Sequence, residues 1–198
     1  MSLIRAFLQR RLDAGAWSLG QVALTGLSLC HIDEVGQEGL PVFKRPGDAR
    51  ELAKYDDAGS YRPLKTAPNL RHGWRLSLAS VEELHLALDL FYPAALGTWL
   101  AHEHGTLTAV PLRETLGRQS GMYRVTQLIT DAQAREVIQS TCVEGCLRQR
   151  LWEIEGVNPK AMEFSLPLPI LCAEACNLLV AACRPVAKQN LPKVEASS

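Results

Sequence analysis

Apolar positions over the first dozen residues recur at spacings of three and four: Leu3, Ile4, Phe7, Leu8 and Leu12, with Arg5, Arg10 and Arg11 among them. That period predicts an amphipathic helix with one buried stripe. Between residues 16 and 32 the rhythm shortens. Trp17, Leu19, Val22, Leu24, Leu27, Leu29 and Cys30 are spaced as in strands, and Gly20, Thr25 and Gly26 supply turn signals. Residues 40–43 extend the pattern to another short strand. Pro46, Gly47 and Asp48 then open a short helix over 49–55 that ends in the loop 56–59. The run 60–76, irregular and rich in Pro, Arg and aromatic residues, reads as a surface connection between two parts.

From Ser80 the helical period returns. Ser80 with Glu83 makes a capping box, Leu84, Leu86, Leu88, Leu90 and Phe91 supply an apolar surface, and Tyr92 before Pro93 marks a break. Pro93 begins a second helix through Leu96, Trp99 and Leu100, which Gly105 stops. Residues 107–112 look like a strand, and 123–129 alternate weakly like another. Thr130, with Gln133 three positions on, caps a helix expected over 132–152, whose stripe holds Ala134, Val137, Ile138, Cys142, Cys146 and Leu147. Gly145 weakens that helix by about 1 kcal/mol relative to Ala. Pro167 and Pro169 lead into an almost wholly apolar helix over 170–183, closed by Pro185. The expected class is α+β: a mixed α/β part over 1–75, a mainly helical part over 76–187, and a polar, disordered tail over 188–198.

Composition narrows the function classes. At 47% apolar and 21% charged residues over 198 positions, the chain is an ordinary globular protein able to bury an adequate core. Zero formal net charge removes bulk attraction to nucleic acid or acidic lipid. No apolar run reaches the roughly 18 residues of a membrane span, since the longest, 166–183, contains Pro167, Pro169, Glu174 and Asn177. The N-terminus lacks a continuous apolar segment with a small-residue cleavage site, so a cytoplasmic location is expected. A reduced compartment and a sufficient core leave disulfides without a role.

The chemistry concentrates in cysteine. Four of the six fall in two CxxxC pairs, Cys142 with Cys146 and Cys172 with Cys176. On a helix, a spacing of four puts both side chains on one face with β-carbons about 5–6 Å apart. Two such pairs direct four thiolates into one space, the ligand set of an iron–sulfur cluster or of structural zinc. Simple packing competes with both, because cysteine is among the most buried residue types. Zinc sites of this spacing usually sit on turns between short strands, whereas both pairs read as helical and apolar, which places the cluster ahead of zinc. Cys183 shares the face of Cys176 but lies about 10 Å further along. It reads as core, with a substitute role as ligand. Cys30 reads as a small buried hydrophobe.

Two other sets invite chemistry. His102 and His104, with His85 or His72, have metal-binding side chains, although an HxH pair on a helix points in different directions and a solvent-exposed helix end is the favoured account. Arg113, Arg118 and Arg124 suit an anionic ligand, since guanidinium forks match carboxylates. Ion pairs with Glu114 and its neighbours compete with that reading. There is no GxSxG elbow, no P-loop and no GxGxxG, and apolar surroundings leave thiols inert as nucleophiles.

The runs YDDAGSYRPLKTAPNLRHGW (residues 55–74) and VPLRETLGRQSGMYR (110–124), followed by the paired cysteines, resemble the C-terminal region of sirohydrochlorin cobaltochelatase-like proteins. The likeness covers most of residues 16–184 and implies a small stabilising domain followed by a domain that binds a [4Fe-4S] cluster. Carried onto this chain, it implies a cluster at Cys142, Cys146, Cys172 and Cys176. It also implies electron transfer, redox sensing or structural bracing beside tetrapyrrole or cobalamin synthesis, with a cobaltochelatase or another tetrapyrrole-pathway protein as partner and an anionic tetrapyrrole as ligand. Nothing in the chain resembles the chelatase module itself, so no catalytic activity of its own is expected. The rival expectation is a zinc-stabilised interaction module held by the same four cysteines, and a third is a catalytic subunit in which the three arginines hold an acidic substrate.

Overall fold

A computed structural model of the chain describes residues 2–59, 70–149 and 165–191. It divides into two compact units, one of residues 1–107 with 147–157, the other of 108–146 with 158–198. The expected tail falls largely at 192–198, and much of the expected connection at 60–69, both outside the described residues.

In the first unit, helix α1 (Leu3–Ala14) is capped by Ser2, whose side chain accepts the Arg5 N–H, and it buries Phe7 and Leu8. Strands β1 (Trp17–Leu19), β2 (Val22–Thr25) and β3 (Ser28–His31) form an antiparallel meander with Trp17 opposite Leu24 and Val22 opposite His31. Both hairpin loops place glycine first, Gly20 at φ +57° and Gly26 at φ +56°, as tight two-residue turns require. Gly20 is needed twice over, because a Cβ there would stand 2.7 Å from the Tyr92 ring, whose hydroxyl accepts the Gln21 N–H. A 3₁₀ turn (Ile32–Glu34) follows, then β4 (Val42–Phe43), α2 (Asp48–Leu52) and β5 (Arg75–Ser77). The sheet order is β1-β2-β3-β5-β4, with β4 parallel to β5. Residues 70–76 are therefore anchored in the core rather than only skirting the surface: Leu70, Trp74 and Leu76 are fully buried, while His72 and Gly73 stay exposed.

Helices α3 (Val81–Phe91) and α4 (Ala95–Glu103) complete this unit. Ser80 accepts the Glu83 N–H, and Glu83 reaches back to the N–H of Ala79. Leu84, Ala87, Leu88 and Phe91 are buried in the sheet's core while Leu86 stays half exposed, a single stripe at helical spacing. The units divide at 107/108, later than the expected break at 75/76. The physical reason is that Leu84, Leu88, Phe91, Leu96 and Trp99 join the same hydrophobic cluster as Leu19, Leu29 and Leu76, each burial worth about 1.5–3 kcal/mol. The chain returns to this cluster at Leu147, also fully buried.

The second unit holds β6 (Val110–Pro111), α5 (Leu112–Gly117), a 3₁₀ segment (Gly121–Leu128), α6 (Asp131–Val137), β7 (Pro169–Ile170) and α7 (Asn177–Lys188). The weak alternation over 123–129 thus belongs to 3₁₀ turns rather than to a strand. Strands β6 and β7 pair antiparallel, Val110 opposite Ile170. The Thr130–Gln133 capping box is complete at the start of α6. That helix widens into a π-helical stretch (Ile138–Val143) in which the Glu144 N–H reaches the Gln139 carbonyl, so it stops well short of the expected residue 152. Helix α7 starts seven positions later than expected and passes through Pro185 instead of ending there. The late start follows from the extended stretch before it, where β7 is paired and Leu168 is held at φ +50°. Leu112, Leu116, Ile129, Ala134, Val137, Ile138, Cys142, Ile170, Leu179 and Cys183 form the core.

Candidate metal centre

The second unit gathers its cysteines, but not by the route the spacing suggests. Cys142 lies in the π-helical stretch and Cys146 in the turn beyond it. Cys172 lies in the loop before α7, and Cys176 is the N-cap of that helix. Each pair straddles a helix end rather than sitting on one helical face. Gly145 makes the first exit possible, since a Cβ there would stand 3.0 Å from the Ser140 carbonyl oxygen and 3.1 Å from that of Thr141.

Cys142 is the hub. Burial, then the neighbouring thiols of Cys146, Cys176, Cys172 and Cys183, push its own thiol far above the ordinary range. Cys183, fully buried on α7, is pushed up to about 11 by burial, with Arg113 opposing and Cys176 adding to the shift. Such a pocket tolerates several thiolates only when metal cations share the charge, so ligation and proton release are coupled. All six cysteines lie among the described residues and none forms a disulfide. Cys30 sits half-buried on β3 in the other unit. Among the described residues, the group of three His, Cys, Asp or Glu ligand atoms that lies within 4.8 Å of one another is elsewhere in the chain, at His31, Asp33 and His72. The soft thiolate donors of this unit fit a four-iron cluster.

Helix α5 braces the loop that carries the second pair. The hydroxyl of buried Thr115 donates to the Cys172 carbonyl at 3.0 Å, and Arg118 donates to the Ala173 carbonyl at 2.8 Å while pairing with Glu114. At the N-terminus of α7, the Leu179 N–H donates to the Cys176 sulfur at 3.5 Å. Donors of this kind to cluster sulfurs are one of the levers on reduction potential.

The three arginines are only partly assembled. Arg113 donates to the Gln127 carbonyl and pairs with Asp131, whose carboxyl it holds below the usual range. Arg118 is engaged as above, and Arg124 is exposed on the 3₁₀ segment. The histidine set weighed in the sequence against a plain helix end does not assemble. His102 faces Glu103 and His104 is exposed, while His72 joins His31 and Asp33. Thr115 and the Leu179 N–H escaped sequence reasoning. A threonine inside RETLG carries no motif, and a backbone donor has no letter of its own.

Comparison with known proteins agrees with this layout. Residues 13–103 match the family model described as the DR2241 stabilising domain, and residues 104–185 match the 4Fe-4S iron-sulfur cluster binding domain. Their junction falls within a few residues of the division between the units. A crystal structure of DR2241 from Deinococcus radiodurans, described as a multi-domain protein with structural similarity to chelatases and two additional novel domains, matches with TM-score 0.71 and 34% identity. The match covers 93% of this chain and 41% of that one, so the chain spans about two fifths of that protein. No curated protein matches. Five of the six cysteines lie inside the cluster-binding match and the sixth, Cys30, lies in the stabilising one. Residues 13–103 are thus similar to a DR2241-type stabilising domain, and residues 104–185, which follow it, are similar to a domain that binds a [4Fe-4S] cluster.

Proposed function

We propose that Cys142, Cys146, Cys172 and Cys176 are the four ligands of the [4Fe-4S] cluster, and that the protein exchanges single electrons with a chelatase-type partner of tetrapyrrole or cobalamin synthesis. The observation that carries the ligand set is the grouping of these four cysteines in one compact unit, within the residues that match a 4Fe-4S cluster binding domain. Cys183 is fully buried in the apolar core of the same unit. When bound, the cluster supplies one-electron chemistry. The chain's own contribution is positional. Thr115 and Arg118 fix the carbonyls of the Cys172 loop, α7 directs an N–H at the Cys176 sulfur, and Arg113 places positive charge near Cys183. Cys172 and Cys176 are only half-buried, which supports electron exchange on that side.

The partner reading is supported by the likeness of DR2241 to chelatases. Arg124 is the arginine of the three best supported as a contact for a carboxylated tetrapyrrole, since Arg113 and Arg118 serve the loop and α6. The zinc module is disfavoured by the match of residues 104–185 to a 4Fe-4S cluster binding domain.

Anaerobic purification followed by iron and sulfide analysis tests the ligand set. Four irons and four sulfides per chain are expected, with broad visible absorption that dithionite bleaches. Serine at any of the four positions should lower the iron content, and one zinc per chain without colour would overturn the assignment. A cluster that dithionite leaves unchanged would remove the electron-transfer role. A midpoint potential unmoved by an added chelatase or an anionic tetrapyrrole would remove the partner.

A further inference from the structure

The first unit holds a separate constellation that the cluster does not use. The 3₁₀ turn after β3 brings Asp33 beside His31, and the approach to β5 brings His72 over both. The Asp33 Oδ2 stands 3.4 Å from His31 Nδ1, which itself accepts the Asp33 backbone N–H at 3.2 Å, and 3.5 Å from His72 Nε2, and the two imidazole ring centroids are 3.8 Å apart. The two separations from Oδ2 are long for hydrogen bonds. One ligand atom from each of His31, Asp33 and His72 lies within 4.8 Å of the other two, close enough to share one ion, and Nε2 is the ring nitrogen of His31 that no protein group occupies.

Two independent observations favour an occupant. The first is unsatisfied polar capacity. His31 is 1% exposed and Glu34 6% exposed, yet His31 Nε2 and Glu34 Oε2 have no hydrogen-bond partner. Buried polar atoms without partners call for an ion or water nearby. The other Glu34 oxygen accepts the Gly73 N–H at 2.7 Å, which ties this carboxylate to the strand of chain that carries His72. The second is outer-shell support. Asp57 accepts the His72 N–H through Oδ1 and holds ring Nδ1 through Oδ2. A carboxylate on one ring nitrogen fixes the tautomer and turns the other nitrogen's lone pair outward, the arrangement found behind most histidine ligands. Here that other nitrogen, Nε2, faces Asp33. His72 also borders an open cleft of about 560 Å³ with Tyr55, Asp57 and Arg71, which gives an ion access from solvent.

We propose that His31, Asp33 and His72 form a binding site for a divalent first-row transition ion, with Asp57 as the positioning residue of His72 and the remaining coordination positions open to water. Two imidazoles and one carboxylate suit zinc or ferrous iron, not calcium or magnesium. The three carboxylates of Asp33, Glu34 and Asp57 gather around two neutral-capable histidines, so a dication balances charge that the turn otherwise concentrates.

The test is equilibrium dialysis of the cluster-loaded full chain against zinc under anaerobic conditions, with zinc counted per chain. Loading the cluster first occupies the cysteines that would otherwise capture zinc. The wild-type protein is expected to take up one zinc. His72→Ala and Asp33→Asn, both at exposed side chains and so tolerated by the fold, are expected to weaken it at least tenfold. Asp57→Asn is expected to weaken it about 10–100-fold, as outer-shell partners do, and His104→Ala to leave it unchanged. Iron content and the circular dichroism spectrum, equal in all variants, report intact units. Absence of zinc uptake, or uptake that survives His72→Ala and Asp33→Asn, overturns the site.

Discussion

Replacing Thr115 by Val tests how the protein prepares its cluster loop. Valine keeps the shape of threonine and removes only the hydroxyl, which donates to the Cys172 carbonyl at 3.0 Å from a side chain with no solvent exposure. A net hydrogen bond contributes about 1 kcal/mol, and a carbonyl left without its donor costs about 1–3 kcal/mol. Cys172 is only half-buried, so water recovers part of that and about 1–2 kcal/mol is the expected loss. The bond holds the loop in place, so its removal transfers the ordering cost to cluster binding. At a factor of ten for each 1.4 kcal/mol, cluster affinity should fall by about 5- to 30-fold. The assay is equilibrium iron removal by a chelator, followed through loss of visible absorption under anaerobic conditions. Thr115→Ser, which keeps the hydroxyl, should stay close to wild type. A Val variant that resists the chelator as well as the wild type, or a Ser variant as fragile as Val, would refute the reasoning.

Other outcomes follow from the same geometry. Cys183→Ala should keep four irons per chain and lower the melting temperature, because it empties space in a core position with no solvent exposure; loss of the cluster would instead make Cys183 a ligand. Gly145→Ala should reduce both stability and iron content, since the new methyl meets two backbone carbonyl oxygens at 3.0–3.1 Å that cannot step aside. Iron content unchanged from wild type would show that the turn before Cys146 can relax. The Asp131 carboxyl, depressed by Arg113, should titrate below 3.8 in a carbon-detected NMR titration and return toward 3.8 in Arg113→Gln. A depressed folded value means that this pair's stabilisation is present above the unfolded value and is lost as pH falls through the folded one. The melting-temperature gap between wild type and Asp131→Asn should therefore be widest near neutrality and shrink on acidification.

Local signals decided the elements they could reach. Ser80 and Thr130 cap the helices they announce, and Gly20 and Gly26 sit in the hairpin loops they predict, because capping and positive φ are settled within a few residues. The cysteine pairs announced a metal centre through chemistry alone, since few other uses call for two CxxxC words in one apolar region. What the spacing could not decide was how the sulfurs meet. Neither pair lies on one helical face, because the π-helical stretch ends before Gly145 and α7 starts only after Cys176. The unit boundary was hidden for a similar reason: α3 and α4 look like the start of a helical domain until their leucines are found in the sheet's core. Residue type and short-range pattern were thus written in the sequence, along with the identity of the donor atoms. Only the tertiary structure decided which distant residues share a pocket, as with Thr115 and Cys172 or His31 and His72, because packing free energy depends on contacts that no local period encodes.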